Sequence, residues 1–438
     1  MQEHNPSLSA LNHARATSSL PGGNTRHSVF FRPHPIYADS GKGCRVTDAD
    51  GVTRIDCINN MSALVHGHGF APVVEAVHSQ IDKLLSTGMP TLPEIDLAER
   101  LCDRVSSVEQ VRFCTSGSEA IMFALRAARA ITGRDKVAKA EGAYHGSYDA
   151  MEFSLTPSLD AAGPETTPKA VAATPGLTQH THTDTVVLPF NQLEETKHIL
   201  HSHQDELAAV IIDPCISRMG FVTGEQDYLE AVRDLCTQYG IVLIYDEVFS
   251  FRIHHGGAQG AVGIEPDLST FGKVIGGGLP IGAIGGKARY MEVFDQLKTE
   301  SLVEHSGTHF ANPLSMVAGI AALDALDEAC LGHLDVLGDQ LRSGIDARFA
   351  RRGIDGHAAG RASLICVVFG NKRIRHYRDF YQVMLNGGLE LGSRLHRAML
   401  DRGAHIIPGG GLILSSVMTQ EDIEELLRIF DESLAVIS

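Results

Sequence analysis

The 438-residue chain has no tryptophan, no CxxC pair and no apolar run near the ~18–20 residues that a membrane helix needs. The last absence excludes a helical membrane span. The polar stretch from Met1 to Ser19 likewise lacks the apolar core of a secretory signal. Eight cysteines, at 44, 57, 102, 114, 215, 236, 330 and 366, show no zinc-type spacing, and several sit inside apolar runs. They read as reduced core thiols of a cytoplasmic protein. Basic residues are scarce: 37 Lys and Arg face 53 Asp and Glu, a formal net charge of −16. That balance argues against nucleic acid or an anionic membrane as a partner. The 22 histidines are many, but His66/His68, His180/His182 and His254/His255 form no ligand set, so no metal is expected.

What is present is an ordinary globular composition, 43% apolar and 21% charged, on a chain long enough for one large domain and a smaller one. Residues 1–20 read as a helical arm, ended by the turn Pro21-Gly22-Gly23-Asn24. Tyr37 to Ile58 alternates like strands around Asp48-Ala49-Asp50-Gly51. Val73 to Leu85 and Glu94 to Val105 have helical periodicity. A run of α/β units follows. Val111 to Cys114 is a strand, and Ser118 to Ile131 is a helix with Ile121, Met122, Leu125, Ala128 and Ile131 near one face, closed by Gly133. Ala208 to Ile212 is a buried strand ending at Asp213-Pro214. Tyr228 to Tyr239 is a helix, and Ile241 to Tyr245 a strand ending at Asp246. Apolar strands alternating with helices predict a mostly parallel sheet covered on both faces. Residues 154–185, rich in Thr, Pro, Ala and Gly, predict a structureless insert that is either disordered or an active-site flap. The expected division is 1–58 as an N-terminal arm and part of a small domain, 59–324 as the large domain, and 325–438 as a small α+β domain.

Three segments carry chemistry. Thr115-Ser116-Gly117-Ser118-Glu119 lies between a strand and a helix and fits a capping box. It is either a plain helix cap or an anion site made by free N–H groups. Asp246, in Tyr245-Asp246-Glu247-Val248, ends a buried parallel strand, where α/β sheets place ligands. It either caps or pairs structurally, or it meets a cationic ligand. Lys273 stands alone in Phe271-Gly272-Lys273-Val274-Ile275-Gly276-Gly277-Gly278. It is either a snorkelling surface lysine or a desolvated amine suited to Schiff-base chemistry. In order and spacing, a phosphate turn, a strand-end acid and a lysine 27 residues later suit a pyridine ring with phosphate, ring nitrogen and aldehyde.

With these segments, Glu141-Gly142-Ala143-Tyr144-His145-Gly146 and Ser306-Gly307-Thr308, the chain resembles the class III, fold type I aminotransferases that use pyridoxal 5'-phosphate (PLP). Within them it is similar to the glutamate-1-semialdehyde aminomutase-like branch, over nearly its whole length from Leu20-Pro21-Gly22-Gly23-Asn24 onward. The resemblance implies an α/β fold with a mostly parallel, seven-stranded-type sheet and a smaller α+β domain drawn from the C-terminus and the N-terminal segment. It implies that Lys273 holds the cofactor as an internal aldimine and then shuttles protons, that Asp246 keeps the ring nitrogen protonated, and that Val248 and Tyr144 pack on opposite ring faces. Ser116, Gly117, Ser118 and His145 complete the cofactor site. Thr308 reaches the phosphate bound to a neighbouring subunit, implying a homodimer with shared active sites.

The chain departs from the aminomutases at two places. Their tryptophan-bearing motif corresponds to Asn59-Asn60-Met61-Ser62, with Met61 on the substrate side. Their acid-bearing C-terminal segment corresponds to Pro408-Gly409-Gly410-Gly411-Leu412, with no acid. A two-substrate, ping-pong transaminase is therefore expected, with an amino donor, preferably a D-α- or β-amino acid, and a 2-oxo acid acceptor. The segment also lacks the mobile arginine that many class III enzymes use. Arg26, which matches a carboxylate-binding arginine of relatives, and Arg218 become the candidates for the substrate carboxylate. The bland reading of each is a surface ion pair. The competing functions are an aminomutase or PLP racemase and, from another class, a catalytically silent scaffold of the same fold.

Overall fold

The computed structural model describes residues 7–298 and 303–437; residues 1–6 of the expected arm lie outside them, and its helix runs Leu8–Ala16. At the centre is a seven-stranded sheet built from β1 (Gln110–Cys114), β2 (Lys136–Ala140), β3 (Thr185–Leu188), β4 (Leu207–Ile212), β5 (Val242–Asp246), β6 (Leu268–Gly272) and β7 (Gly282–Gly286), in the order β1-β7-β6-β5-β4-β2-β3. Strands β6, β5, β4, β2 and β3 pair in parallel, while β7 runs antiparallel to both of its neighbours. Every residue of β4, β5 and β6 is buried, and β4 and β5 accordingly read as apolar runs up to Asp213 and Asp246.

Neither β2, β3 nor β7 is marked by such a run. Strand β7, Gly-Ala-Ile-Gly-Gly, lacks the β-branched signature because side chains would not fit. A Cβ at Gly282 would strike the Ser116 carbonyl, and one at Gly286 would stand 2.6 Å from the Asp267 carbonyl. The helix Gly117–Thr132 crosses the sheet. Ser116 caps its start, and Gly133 at φ +67° ends it. Ile121, Leu125 and Ala128 are buried as expected. The buried face is wider, however, taking in Phe123, Ala124 and Ala127, while Ile131 is exposed, because Met291, Val293 and Phe294 cover the helix from the side. Fully burying a side chain such as Leu125 contributes about 2 kcal/mol.

Strands at 38–42, 45–48 and 53–56 form a second sheet with Ala404–His405, so the two ends of the chain meet there. A third sheet joins 356–361, 364–369 and 411–413. Long helices Glu328–Arg352 and Gln420–Ile437 close one core around Leu341, Ile345, Phe349 and Phe430. No helix among the described residues is long and apolar enough to cross a membrane. All eight cysteines are free and six are buried.

The segment 154–185 is not structureless. It holds helices Leu159–Ala162 and Gln179–Asp184. Ser154 bonds both Lys169 and Val171. The His376–Arg378 corner clasps it: the Tyr377 hydroxyl donates to the Pro157 carbonyl (2.7 Å), and Arg378 donates to those of Gly163 (2.8 Å) and Pro164 (3.1 Å). Arg378 also meets the buried Glu141 carboxylate at 3.2 and 3.3 Å. Composition missed this order because the partners lie over 200 residues away in the chain. Burial raises the pKa of Glu141 and Arg378 opposes that rise. Arg378→Ala should therefore lower stability by about 3 kcal/mol by stranding a buried carboxylate. The fall in thermal midpoint measures it, and Glu141→Gln combined with Arg378→Met should recover part of the loss.

Candidate functional site

Parallel strands put their carboxyl ends on one edge. Register sets Asp246, the last residue of β5, opposite Thr270 of β6, and Tyr245 opposite Ile212 of β4. Asp213, Asp246 and Lys273 therefore leave the sheet side by side. Asp246 is 4% exposed, yet its carboxylate is well served. His145 Nδ1 lies 2.7 Å from Oδ2, and Oδ1 accepts from the Val248 N–H (3.0 Å) and the Thr270 hydroxyl (3.3 Å). Burial lowers the pKa of His145 and Asp246 pulls it back up, while its Nε2 is buried without a partner. This geometry assigns a neutral imidazole that donates from Nδ1. Burial first, then the neighbouring Asp246 charge, raise the pKa of Asp213 well above its usual value.

Lys273 sits at φ +52°, a conformation L-residues avoid and one that marks strained functional positions. Its Nζ lies 4.4 Å from the centre of the Phe249 ring and makes no hydrogen bond to any described residue. Burial lowers its pKa to about 8, against the opposing pull of Asp246 and Asp213. The result is an unengaged amine, partly neutral at physiological pH.

The anion corner lies across Val248. A Cβ on Gly117 would come 2.9 Å from Val248 Cγ1, and one on Gly272 would come 3.3 Å from the same atom. Val248 thus packs between the helix start and the residue before Lys273. The backbone N–H groups of Gly117 and Ser118 find no acceptor among the described residues, at the positive end of a 16-residue helix. Ser116 Oγ and Glu119 cap each other at 3.0 and 3.2 Å. Ser118 Oγ accepts from the Ser147 N–H (3.1 Å), which seats the Tyr144–Ser147 loop on the helix start. Tyr144 is 41% exposed, and Arg218 stacks 5.7 Å over its ring. A free amine, a helix start with two unspent donors, a charged strand-end carboxylate and glycines that leave room between them suit PLP's aldehyde, phosphate and ring nitrogen.

Ser116, Gly117, Ser118, Tyr144, His145, Asp246, Val248 and Lys273 are therefore one connected cluster, with Arg218 at its rim. Arg26 donates to the Asn60 amide (2.8 Å), beside half-buried Met61. Leu64 just beyond packs on Gly278, in the glycine run after Lys273. Thr308 is exposed and joins none of these. Two participants went unmarked in the sequence reading. Asp213 ends an apolar strand just as Asp246 does, so the same signal was available. Lys139 is a lone charge within Val137-Ala138-Lys139-Ala140. It is wholly buried, and its Nζ donates to the carbonyls of Ala143 (2.7 Å), Met151 (3.2 Å) and Phe153 (2.6 Å), fixing the loop that carries Tyr144 and His145.

The profile of the class-III aminotransferases matches residues 29–431. A glutamate-1-semialdehyde 2,1-aminomutase of Bacillus subtilis is 35% identical over the full length of both chains. Among solved structures, an omega-transaminase from Sphaerobacter thermophilus superposes with a TM-score of 0.95 at 41% identity, covering 99% of this chain and 98% of that one. A β-phenylalanine aminotransferase from Variovorax paradoxus gives 0.87 at 30% identity, covering 98% and 94%. Proteins of this family use PLP.

The Lys273 amine supplies a pH test. Only a neutral amine attacks an aldehyde, so the rate at which apoprotein captures added PLP should reach half its plateau near pH 8 rather than near 10.5. Stopped-flow absorbance reads this rate, and a midpoint above pH 10 would mean an ordinary solvated lysine.

Proposed function

The chain belongs to the class-III aminotransferases, and on that footing we propose that it moves an amino group from a D-α- or β-amino acid to a 2-oxo acid in two half-reactions. The observation that carries this reading is the Lys273 amine, without a hydrogen bond among the described residues and in the field of Asp246, whose carboxylate is bonded to His145. PLP, when bound, supplies an electrophilic carbon for amines and an electron-withdrawing ring.

The side chains do the rest. Asp246, met by three donors, would hold a proton on the group facing it. Gly117 and Ser118 donate their N–H groups to an anion, with the Ser116 cap fixing the helix start. Val248 and Tyr144 bound a flat space from two sides. Lys273 would hold the cofactor, and its Nζ would be the atom that holds and moves the proton taken from the substrate carbon. Proton movement at one fixed atom excludes the need for a solvent base. Arg26 receives the substrate carboxylate, with Arg218 assisting or alternating. Exposed Ile81, Leu84, Leu85, Met89, Leu92 and Ile95 form an apolar stretch, and Thr308 projects without a partner. Both suit a homodimer in which Thr308 completes the neighbour's anion corner.

Intramolecular amino transfer is the second reading, favoured by the full-length similarity to the aminomutase. Against it stand Met61 in place of tryptophan and the Pro408–Gly411 segment. There Gly409 and Gly410 take φ +99° and +98°, and a Cβ at 410 would stand 2.9 Å from the Val367 carbonyl. No acid is presented from that backbone.

Holoenzyme incubated with a single amino acid and no acceptor separates the two. The transaminase reading expects one equivalent of oxo acid per site and then arrest, across a panel of D-, L- and β-amino acids. Continued isomerisation, as of glutamate-1-semialdehyde, would replace it with the mutase reading. Arg26→Ala should lower the ratio of kcat/KM for an amino acid to that for its decarboxylated amine by about 10–100-fold, the worth of a charged hydrogen bond. An unchanged ratio, together with a fall for Arg218→Ala, would transfer the role to Arg218.

A further inference from the structure

Asn59, Asn60, Met61 and Ser62 have φ values of 50°, 49°, 53° and 76°. Four successive non-glycine residues in the left-handed region cost about 1–2 kcal/mol each. Such a turn persists only when its surroundings dictate it, and clusters of this kind are found at ligand clamps. Here the surroundings are explicit. The buried Asp56 carboxylate accepts the N–H groups of Ile58 (2.8 Å) and Asn59 (3.0 Å), and is itself held by His68 (2.8 Å). The Asn59 amide donates to the Ile413 carbonyl (2.7 Å). Arg252, 1% exposed, donates to the Ser62 carbonyl (3.3 Å) and to that of Leu414. The backbone closes on itself through Ser62 to Ile58 (3.1 Å) and Leu64 to Asn59 (3.0 Å).

Every brace engages the turn from its interior. What the turn presents outward is the exposed Asn60 side chain and the half-buried Met61. The Asn60 oxygen accepts from Arg26 Nη1 at 2.8 Å, and no ion pair engages Arg26 among the described residues. Other arginines of the chain do take carboxylates. Arg45 pairs with Asp422 and Glu425, Arg100 with Asp324, and Arg375 with Glu225. Acids outnumber bases 53 to 37, so a carboxylate partner was not in short supply. A neutral amide holds one corner of the guanidinium, leaves its positive charge uncancelled and leaves its remaining N–H donors free for a bidentate contact.

We propose that Asn60, rigidly presented by this left-handed turn, is the positioning residue that aims Arg26 at the substrate carboxylate while leaving its charge unspent, and so sets the preference for amino acids over simple amines. The inference rests on the Arg26 reading above. Its consequence is a specificity switch: Asn60→Asp would place a permanent carboxylate on Arg26 and compete with the substrate's own.

The test uses holoenzyme, with pyruvate as acceptor and two donors that differ by a carboxylate, 3-amino-3-phenylpropanoate and 1-phenylethylamine. Calorimetric binding of unreactive 3-phenylpropanoate gives an activity-free readout. Asn60→Asp should lower the acid-to-amine ratio of kcat/KM about tenfold, through KM, and weaken 3-phenylpropanoate binding by a similar factor. Asn60→Ala should give a smaller fall of the same kind, and Arg26→Ala should match Asn60→Asp. If Arg26→Ala lowers the ratio while both Asn60 variants keep the wild-type value, the role of Asn60 is overturned and that of Arg26 stands. If Arg26→Ala also keeps the ratio, or wild-type enzyme binds no 3-phenylpropanoate, the carboxylate reading itself falls. Equal losses for both donors would reduce Asn60 to a structural residue.

Discussion

The structure turns on one buried negative charge. Asp246 ends the central strand of the sheet out of water, and an isolated carboxylate there would simply protonate. Three donors meet this one, each from a different element: the His145 imidazole from the loop after β2, the Thr270 hydroxyl from β6 and the Val248 N–H from the turn after β5. Burial and the Asp246 charge push the pKa of the second carboxylate, Asp213, upward. Both carboxyl groups pull against the burial that lowers the pKa of Lys273, and burial outweighs them. Each neighbouring feature serves that balance. The parallel register aligns the strand ends, and glycine at 282 of β7 lets the helix start at Ser116 approach them.

The loop bearing Tyr144 and His145 has no regular structure to hold it, and a buried ammonium takes that role. Lys139 engages three carbonyls, which uses all three N–H bonds of the charged form. Burial and the nearby Arg218 charge push its pKa down to about 7. The geometry requires ammonium, because a neutral amine has only two hydrogens to give to three acceptors. The strand residue thus does for the loop what backbone pairing does for a sheet. On its far side Arg378 ties Glu141, at the foot of the same loop, to Gly163 and Pro164 of the following segment. The surface over Asp246 is therefore fixed from both flanks.

Those elements that bury one continuous run were legible in the sequence: β4, β5, the capped helix at Gly117 and the lone lysine of a glycine run all announce themselves locally. What was illegible depends on distant partners. Strand β7 reads as a flexible glycine stretch until the Ser116 and Asp267 carbonyls are seen against it. The 154–185 segment reads as unstructured until Tyr377 and Arg378 arrive from 200 residues on. The left-handed turn at Asn59–Ser62 carries no glycine to signal it, because its backbone is imposed by Asp56 and Arg252 rather than preferred by its own residues. The cofactor cluster was the easier part to read, since it rests on strand ends. The substrate side was harder, since it rests on loops.

On the proposed reading, in which the substrate bears a carboxylate, the net charge of −16 poses a long-range problem, since it repels such a substrate. Screening solves most of it: at physiological salt the repulsion fades beyond about 8 Å, so only charges near the opening matter. The two candidate guanidinium groups have no ion pair among the described residues. Arg26 is held by an amide oxygen and Arg218 by the face of a tyrosine ring. Both partners orient the cation while leaving its charge in place, a cation–π contact contributing about 0.5–1 kcal/mol at an exposed site. Exposed Arg126 and Arg289 also lie over aromatic rings without an ion pair among the described residues, so under the proposed reading what sets Arg26 apart is not the missing carboxylate but the braced left-handed turn that presents its amide partner.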